Sequence, residues 1–338
     1  MKFGITFKGD IGLERTLELC RQAEAGGFEY AWLFDSHVLW QECYTVTAYL
    51  MAHTKKLRFG PLVTNPGVRD WTVAASTFAS LAKISGNRFD VGVGRGDSSL
   101  RMLGKKPRKV STTIEFMDFV KRMARGETVH IHERDLELPW ADSSIDLPMW
   151  MAAYGPQALK ATGESADGLV LQIGDPWLVE YFAKQAVDAA LAAGRKREDL
   201  QDMAAAPVWI GDMETCREHT KWFPAMVGNH VADIVAKYGT EHCDIPSCLT
   251  EYIQGRKGYN YKEHAKKDAD HLGFISNEIV NCFSILGSVE DHIAKLRKLE
   301  QAGVDQFCIY LMCGDEERIL AEYCEKILPA FSKLEAAR

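Results

Sequence analysis

The chain has 338 residues, 46% of them hydrophobic and 26% charged, with a formal net charge of −7 at pH 7. This length and balance describe a globular protein with room for one large α/β barrel or two ordinary domains. The acidic charge excludes a general attraction to nucleic acid or anionic membrane, and no apolar stretch nears the roughly 20 residues of a membrane span.

The first strand is KFGITF (2–7), followed by a helix, GLERTLELCRQAEAGG, with Leu13, Leu17 and Cys20 on helical spacing and a glycine stop at Gly26 and Gly27. Strand two, EYAWLFD (29–35), releases Ser36 and His37 into a loop, and the helix YTVTAYLMAHT leads to strand three, LRFGPLV. DWTVAASTFASLAKIS forms the next helix and RFDVGVG the fourth strand. Beyond Asp97 the stretch SLRMLGKKPRKVS is basic and irregular, TTIEFMDFVKRMARGE is helical, and TVHIHERDLELPW alternates like a hairpin. Strands five to seven are LPMWMAA (147–153), DGLVLQI (167–173) and MAAAPVWIG (203–211), separated by the helices YGPQALKATGES and DPWLVEYFAKQAVDAALAAG.

After METCREHTKW the pattern degrades, and residues 223–273, HVADIVAKYG among them, read as a helical insertion. SVEDHIAKLRKLEQAG, the strand VDQFCIYL (304–311) and the helix DEERILAEYCEKILPAF close the chain. Eight strands alternating with helices predict one (β/α)8 TIM barrel domain over 1–338, with insertions. A doubly wound sheet is the runner-up, but the turn after strand one, KGDIGLER, has no G-x-G-x-x-G.

The N-terminus enters a strand without a signal-peptide pattern, so a cytoplasmic protein is expected. Nine cysteines with no CxxC read as reduced thiols. His242, Cys243 and Cys248 offer a zinc set of unusual spacing, and His130 and His132 share one face of the hairpin without a third ligand, so no metal is expected.

Chemistry gathers where strands end. GVGRGD (92–97) fails as a dinucleotide fingerprint because Asp97 stands where the third glycine belongs, yet its glycines allow a ligand close to the backbone; a plain tight turn is the equal alternative. In YGPQALK (154–160) a proline opens a helix whose free amides suit a phosphate, against the reading of an ordinary capped helix. His37 beside Asp35 and Ser36 suits proton transfer, against a structural histidine. No G-x-S-x-G elbow supports serine hydrolysis.

These segments resemble the bacterial luciferase-like family of flavin and deazaflavin barrel enzymes. FDSH (34–37) is similar to the family's S-D-H turn, and GPLVTNP (60–66) to the G-x-x-V-T-N-P segment of its methylene-tetrahydromethanopterin reductase branch. NRFDVGVGRGD (87–97) and MAAYGPQALKATGESADGLV (151–170) match two further family motifs. The resemblance implies a ring in the barrel mouth against Leu62, Val63, Thr64 and Asn65, with a non-prolyl cis peptide at Leu62 and Val63. It implies a phosphate held by Ala153, Tyr154, Gly155, Pro156 and Gln157, a wall of Gly94, Gly96 and Asp97, and His37 as the catalytic residue.

Ser36 and Arg95 depart from the commonest family pattern and leave the cofactor open between FMN and F420. The first expectation is the oxygenase of a two-component FMNH2-dependent monooxygenase, supplied by a separate flavin reductase. It would act on a small organic substrate such as a heterocycle, framed by Trp40 and Trp177. The second is F420-dependent hydride transfer, and the third a flavin-binding protein without catalysis. A homodimer or homotetramer is implied by the same resemblance.

Overall fold

Tyr30–Leu33 and Gly168–Leu171 are buried at every position, the signature of parallel strands covered on both faces. The intervening helices carry their own start and stop signals. Trp71–Ser85 begins where the Asp70 carboxylate accepts the Thr72 amide at 2.8 Å and ends at Gly86, whose φ is 66°. Val289–Gln301 opens with a reciprocal capping box between Ser288 and Asp291. The computed structural model describes residues 1–224, 226–227 and 275–332.

Eight parallel strands make the barrel: β1 (Lys2–Phe7), β2 (Tyr30–Leu33), β3 (Arg58–Pro61), β4 (Val91–Val93), β5 (Met149–Ala152), β6 (Gly168–Leu171), β7 (Gln201–Ile210) and β8 (Gln306–Tyr310). Their order is β3-β2-β1-β8-β7-β6-β5-β4. Isolated bridges from Phe59 to Phe89 and from Thr64 to Val93 join β3 to β4 and close the cylinder. Backbones approach closely at this join: a Cβ on Gly60 would stand 2.3 Å from the Asp90 carbonyl oxygen, and one on Gly92 2.4 Å from that of Pro61. Only glycine fits at either place.

The predicted barrel is therefore present, and its closure excludes the doubly wound alternative. The fold is that of a luciferase-like TIM barrel. All eight strands lie where the sequence put them, and the basic hairpin region contains the antiparallel pair Val129–Ile131 and Arg134–Leu136. Several elements were not foreseen, a helix over Asn277–Phe283 and a 3-10 turn over Arg197–Asp199 among them. A short helix, Asp97–Met102, occupies the start of the stretch read as irregular, and a three-residue strand, Ile285–Gly287, pairs with the far half of β7. The expected insertion over 223–273 and the His242, Cys243 and Cys248 set lie almost wholly outside the described residues. Among the described residues no helix is long and apolar enough to cross a membrane.

The N-terminal end of the barrel is locked by buried ion pairs. Asp90, just before β4, accepts from the Arg58 guanidinium and, at 3.0 Å, from the Trp150 indole N–H. Asp202 on β7 accepts from Arg197 at 2.7 Å, and Asp305 lies 3.6 Å from the same guanidinium nitrogen. Both carboxylates are almost fully buried, where an ion is tolerated only with partners.

Candidate active site

At the opposite end, loops after β2 to β6 surround a cavity of about 820 Å³. That volume lies within the roughly 300–1,000 Å³ usual for small-molecule sites. One wall is apolar: Leu62 and Val63, joined by a cis peptide, follow β3. Gly94 lies against them, since a Cβ there would fall 2.8 Å from a Val63 methyl.

A second wall is the start of helix Pro156–Ser165. Its N-cap, Gly155, offers no side-chain cap to the first-turn amides, and Gly155, Gln157 and Ala158 line the cavity. Unsatisfied amides at the positive end of a helix dipole are an anion site. The third wall is basic. Arg95, Arg101, Lys106 and Lys109 all line it. Asp97 pairs with Arg101 at 2.6 Å, whereas Lys106 and Lys109 have no counter-ion among the described residues.

Asp35, buried to 3% exposure, ties two of these loops together. Its Oδ2 accepts from the Tyr44 hydroxyl at 3.0 Å, the Thr64 hydroxyl at 2.7 Å and Arg69 at 2.7 Å. Arg69 also lies 4.4 Å over the Tyr44 ring. The loop after β2 is thus fastened to the bulge after β3 by a charge-assisted cluster. At the floor, the Tyr154 hydroxyl accepts the Gln172 backbone N–H at 2.6 Å, and burial pushes this phenol far above its ordinary range. At neutral pH Tyr154 stays protonated and serves as a hydrogen-bonding group.

Of the residues expected from sequence, Leu62, Val63, Gly94, Gly96, Asp97, Ala153, Tyr154, Gly155 and Gln157 line this one cavity. Thr64, Asn65 and Pro156 do not. Thr64 gives its hydroxyl to Asp35, and the Asn65 carboxamide donates to Ser99 at 2.8 Å and accepts from the Gly67 amide at 3.0 Å. Both hold the wall from behind. Pro156 contributes helix geometry without a donor.

His37 is exposed and outside the cavity lining, on the same loop as Asp35, Ser36 and Trp40, which do line it. Trp177 is 43% exposed and stacks on Tyr181. Sequence reasoning missed Arg101, Lys106, Lys109 and Gln172. The cations had a signal, a basic run in an acidic chain directly after a glycine loop; Gln172 had none.

The arrangement suits a planar molecule with an apolar face and an anionic tail. A profile of the family described as luciferase-like monooxygenase matches residues 1–306. The chain belongs to that family. It is 26% identical to the 5,10-methylenetetrahydromethanopterin reductase of Methanopyrus kandleri, over 98% of this chain and 99% of the relative. It is 27% identical to the reductase of the same name from Archaeoglobus fulgidus, over 97% and 99%. Among solved structures, the coenzyme F420 dependent tetrahydromethanopterin reductase from Methanopyrus kandleri superposes with a TM-score of 0.79 at 23% identity, covering 98% of this chain and 99% of that one.

These findings correct the first functional expectation. Three relatives that align over 90% or more of this chain are methylenetetrahydromethanopterin reductases, not FMNH2-dependent oxygenases, so the two-component monooxygenase and its partner flavin reductase are withdrawn. GPLVTNP, the reductase-type segment, agrees with the correction. Luciferase-like family relatives of this kind are oxidoreductases, which makes the chain an enzyme and removes the non-catalytic reading.

Proposed function

We propose that this chain is an F420-dependent oxidoreductase, transferring a hydride between the deazaflavin and an organic substrate at the barrel mouth. The observation that carries this is the basic wall. FMN ends in one phosphate, which the helix amides at Gln157 and Ala158 can satisfy alone. F420 continues through a phosphodiester into a tail of several carboxylates, and Arg95, Arg101, Lys106 and Lys109 supply the cations such a tail requires. The near-full-length similarity to methylenetetrahydromethanopterin reductases supports the same choice.

When bound, the deazaflavin supplies a two-electron hydride donor or acceptor at its central ring. Leu62, Val63 and Gly94 would back that ring, and the amides of Gln157 and Ala158 would hold its phosphodiester. Phe34, Trp40, Met226 and Val227 give the mouth an apolar lining that excludes water. In this reading His37 exchanges the accompanying proton with the substrate, and Asp35 keeps its loop in place. The first substrate to test is the one that the relatives' names give, a methylene-bearing reduced pterin.

The test is a titration of the purified protein with F420 and, separately, with FMNH2, following fluorescence and oxygen uptake. Saturable F420 binding that weakens with salt, and no oxygen uptake with FMNH2, is the expected result. FMNH2 binding with oxygen uptake and no response to F420 would overturn the proposal.

A further inference from the structure

Gln172, directly after β6, is fixed from two sides. Its backbone N–H donates to the Tyr154 hydroxyl at 2.6 Å, and its side-chain Nε2 donates to the Tyr310 hydroxyl at 2.5 Å. Both tyrosines are buried and packed in turn, Tyr154 edge-on to Phe182 at 5.8 Å and Tyr310 edge-on to Phe34 at 5.7 Å. Gln172 itself is only half-buried and lines the cavity, and its carboxamide oxygen accepts no hydrogen bond among the described residues.

A long, rotamer-rich side chain is thus held still with one polar end presented to a ligand-sized cavity. Holding a polar group in a fixed pose before the ligand arrives is how a site gains specificity, because the ordering entropy is already lost. An acceptor without a protein partner beside a ligand-sized cavity also favours a ligand with a donor in that place. Gln172 lines the cavity between two buried tyrosines, so a ligand that fills the cavity meets it.

We infer that Gln172 reads the imide edge of the deazaflavin ring, its carboxamide oxygen accepting from the ring N–H. The inference rests on the proposed F420 reading. That edge has an N–H flanked by two carbonyls, so a carboxamide turned the other way, with Tyr310 donating to Oε1 and the NH2 facing the cavity, also finds a partner there. Tyr310 is then a positioning residue, acting only through Gln172.

The experiment compares binding of the tail-less deazaflavin riboside with that of its analogue methylated on the imide nitrogen, by fluorescence titration. It uses the native protein, Gln172→Leu and Tyr310→Phe, each checked by thermal unfolding. The native protein is expected to prefer the unmethylated ring by roughly tenfold, the range of one good buried hydrogen bond. Gln172→Leu should abolish the preference, and Tyr310→Phe should reduce it several-fold by releasing the carboxamide.

A preference that survives in Gln172→Leu overturns the inference while leaving the F420 reading intact. So does an equal loss of affinity for both rings, which marks a structural role. If Gln172→Leu leaves ring binding alone and raises only the substrate KM, the residue reads substrate and the inference is again overturned. A native protein that binds neither ring nor F420 sinks the F420 reading and this inference together.

Discussion

At the N-terminal end of the barrel Arg58 is matched to Asp90 and Arg197 to Asp202, while at the other end Lys106 and Lys109 line a cavity without an ion-pair partner among the described residues. The same residue types serve opposite ends differently. Where the chain supplies both partners, the carboxylates are buried under their arginines. Where it supplies lysines without acids and a helix start without a side-chain cap, an anion can come from outside. One end is a lock and the other a receptor, and substitutions should separate stability from activity along that line.

The sharpest separation is expected at His37. His37→Ala should lower turnover by about 10² to 10⁴ while leaving F420 affinity and melting temperature nearly unchanged. Turnover at the native level would remove His37 from the chemistry. The mirror image is Asp90→Ala, which strips Arg58 and the Trp150 indole of their acceptor. A loss of about 3–5 kcal/mol in unfolding free energy is expected, with F420 affinity per folded molecule preserved. A stable variant with impaired binding would break the comparison outright.

A third test uses pH. Burial, opposed by Arg197 and reinforced by Asp305, pushes Asp202 up to about 7 from its ordinary 3.8. Between those values the folded state holds a proton that the unfolded state has lost, so this site makes stability fall as pH rises through that window. His292 acts the other way: burial lowers it to about 4 from 6.5, so its contribution is lost as pH falls through that range. The two slopes oppose each other. Asp202→Asn should expose the His292 slope, changing stability across pH 4 to 7 by on the order of 2–4 kcal/mol relative to the parent. Thermal unfolding at several pH values reads it, and an unaltered profile would deny Asp202 that role.

The smallest effect belongs to the rim. Lys106→Ala with Lys109→Ala should weaken F420 binding about 3- to 10-fold at low ionic strength, and less in high salt, because exposed pairs contribute little individually and are screened. Riboside lacking the tail should bind both proteins equally. A loss for the riboside as well would mean that these lysines shape the cavity instead of holding the tail.

Much of this architecture was legible because it repeats. YAWL, GLVL and FCIY are apolar at every position, and the helices between them start at Asp70, Asp175 and Ser288 and stop at Gly27 and Gly86. Ile285–Gly287 was missed because three residues carry no periodicity. In the site, Gly94 and Gly155 announced themselves as glycines at strand and helix ends. Thr64 and Asn65 misled, since a polar residue after a strand looks as if it faces a ligand until its partners, Asp35 and Ser99, are known. Gln172 was invisible for the converse reason: what distinguishes it is two tyrosine hydroxyls, one of them 138 residues away.

The cylinder is hooped unevenly. Continuous ladders bind its staves everywhere but between β3 and β4, where two separate bridges, each of two backbone hydrogen bonds, make the closure beside Gly60 and Gly92. Leu62 and Val63 rise directly from that seam, with Val63 packed close to Gly92 and Gly94 on the other side. A molecule resting on them would therefore touch both edges of the closure at once.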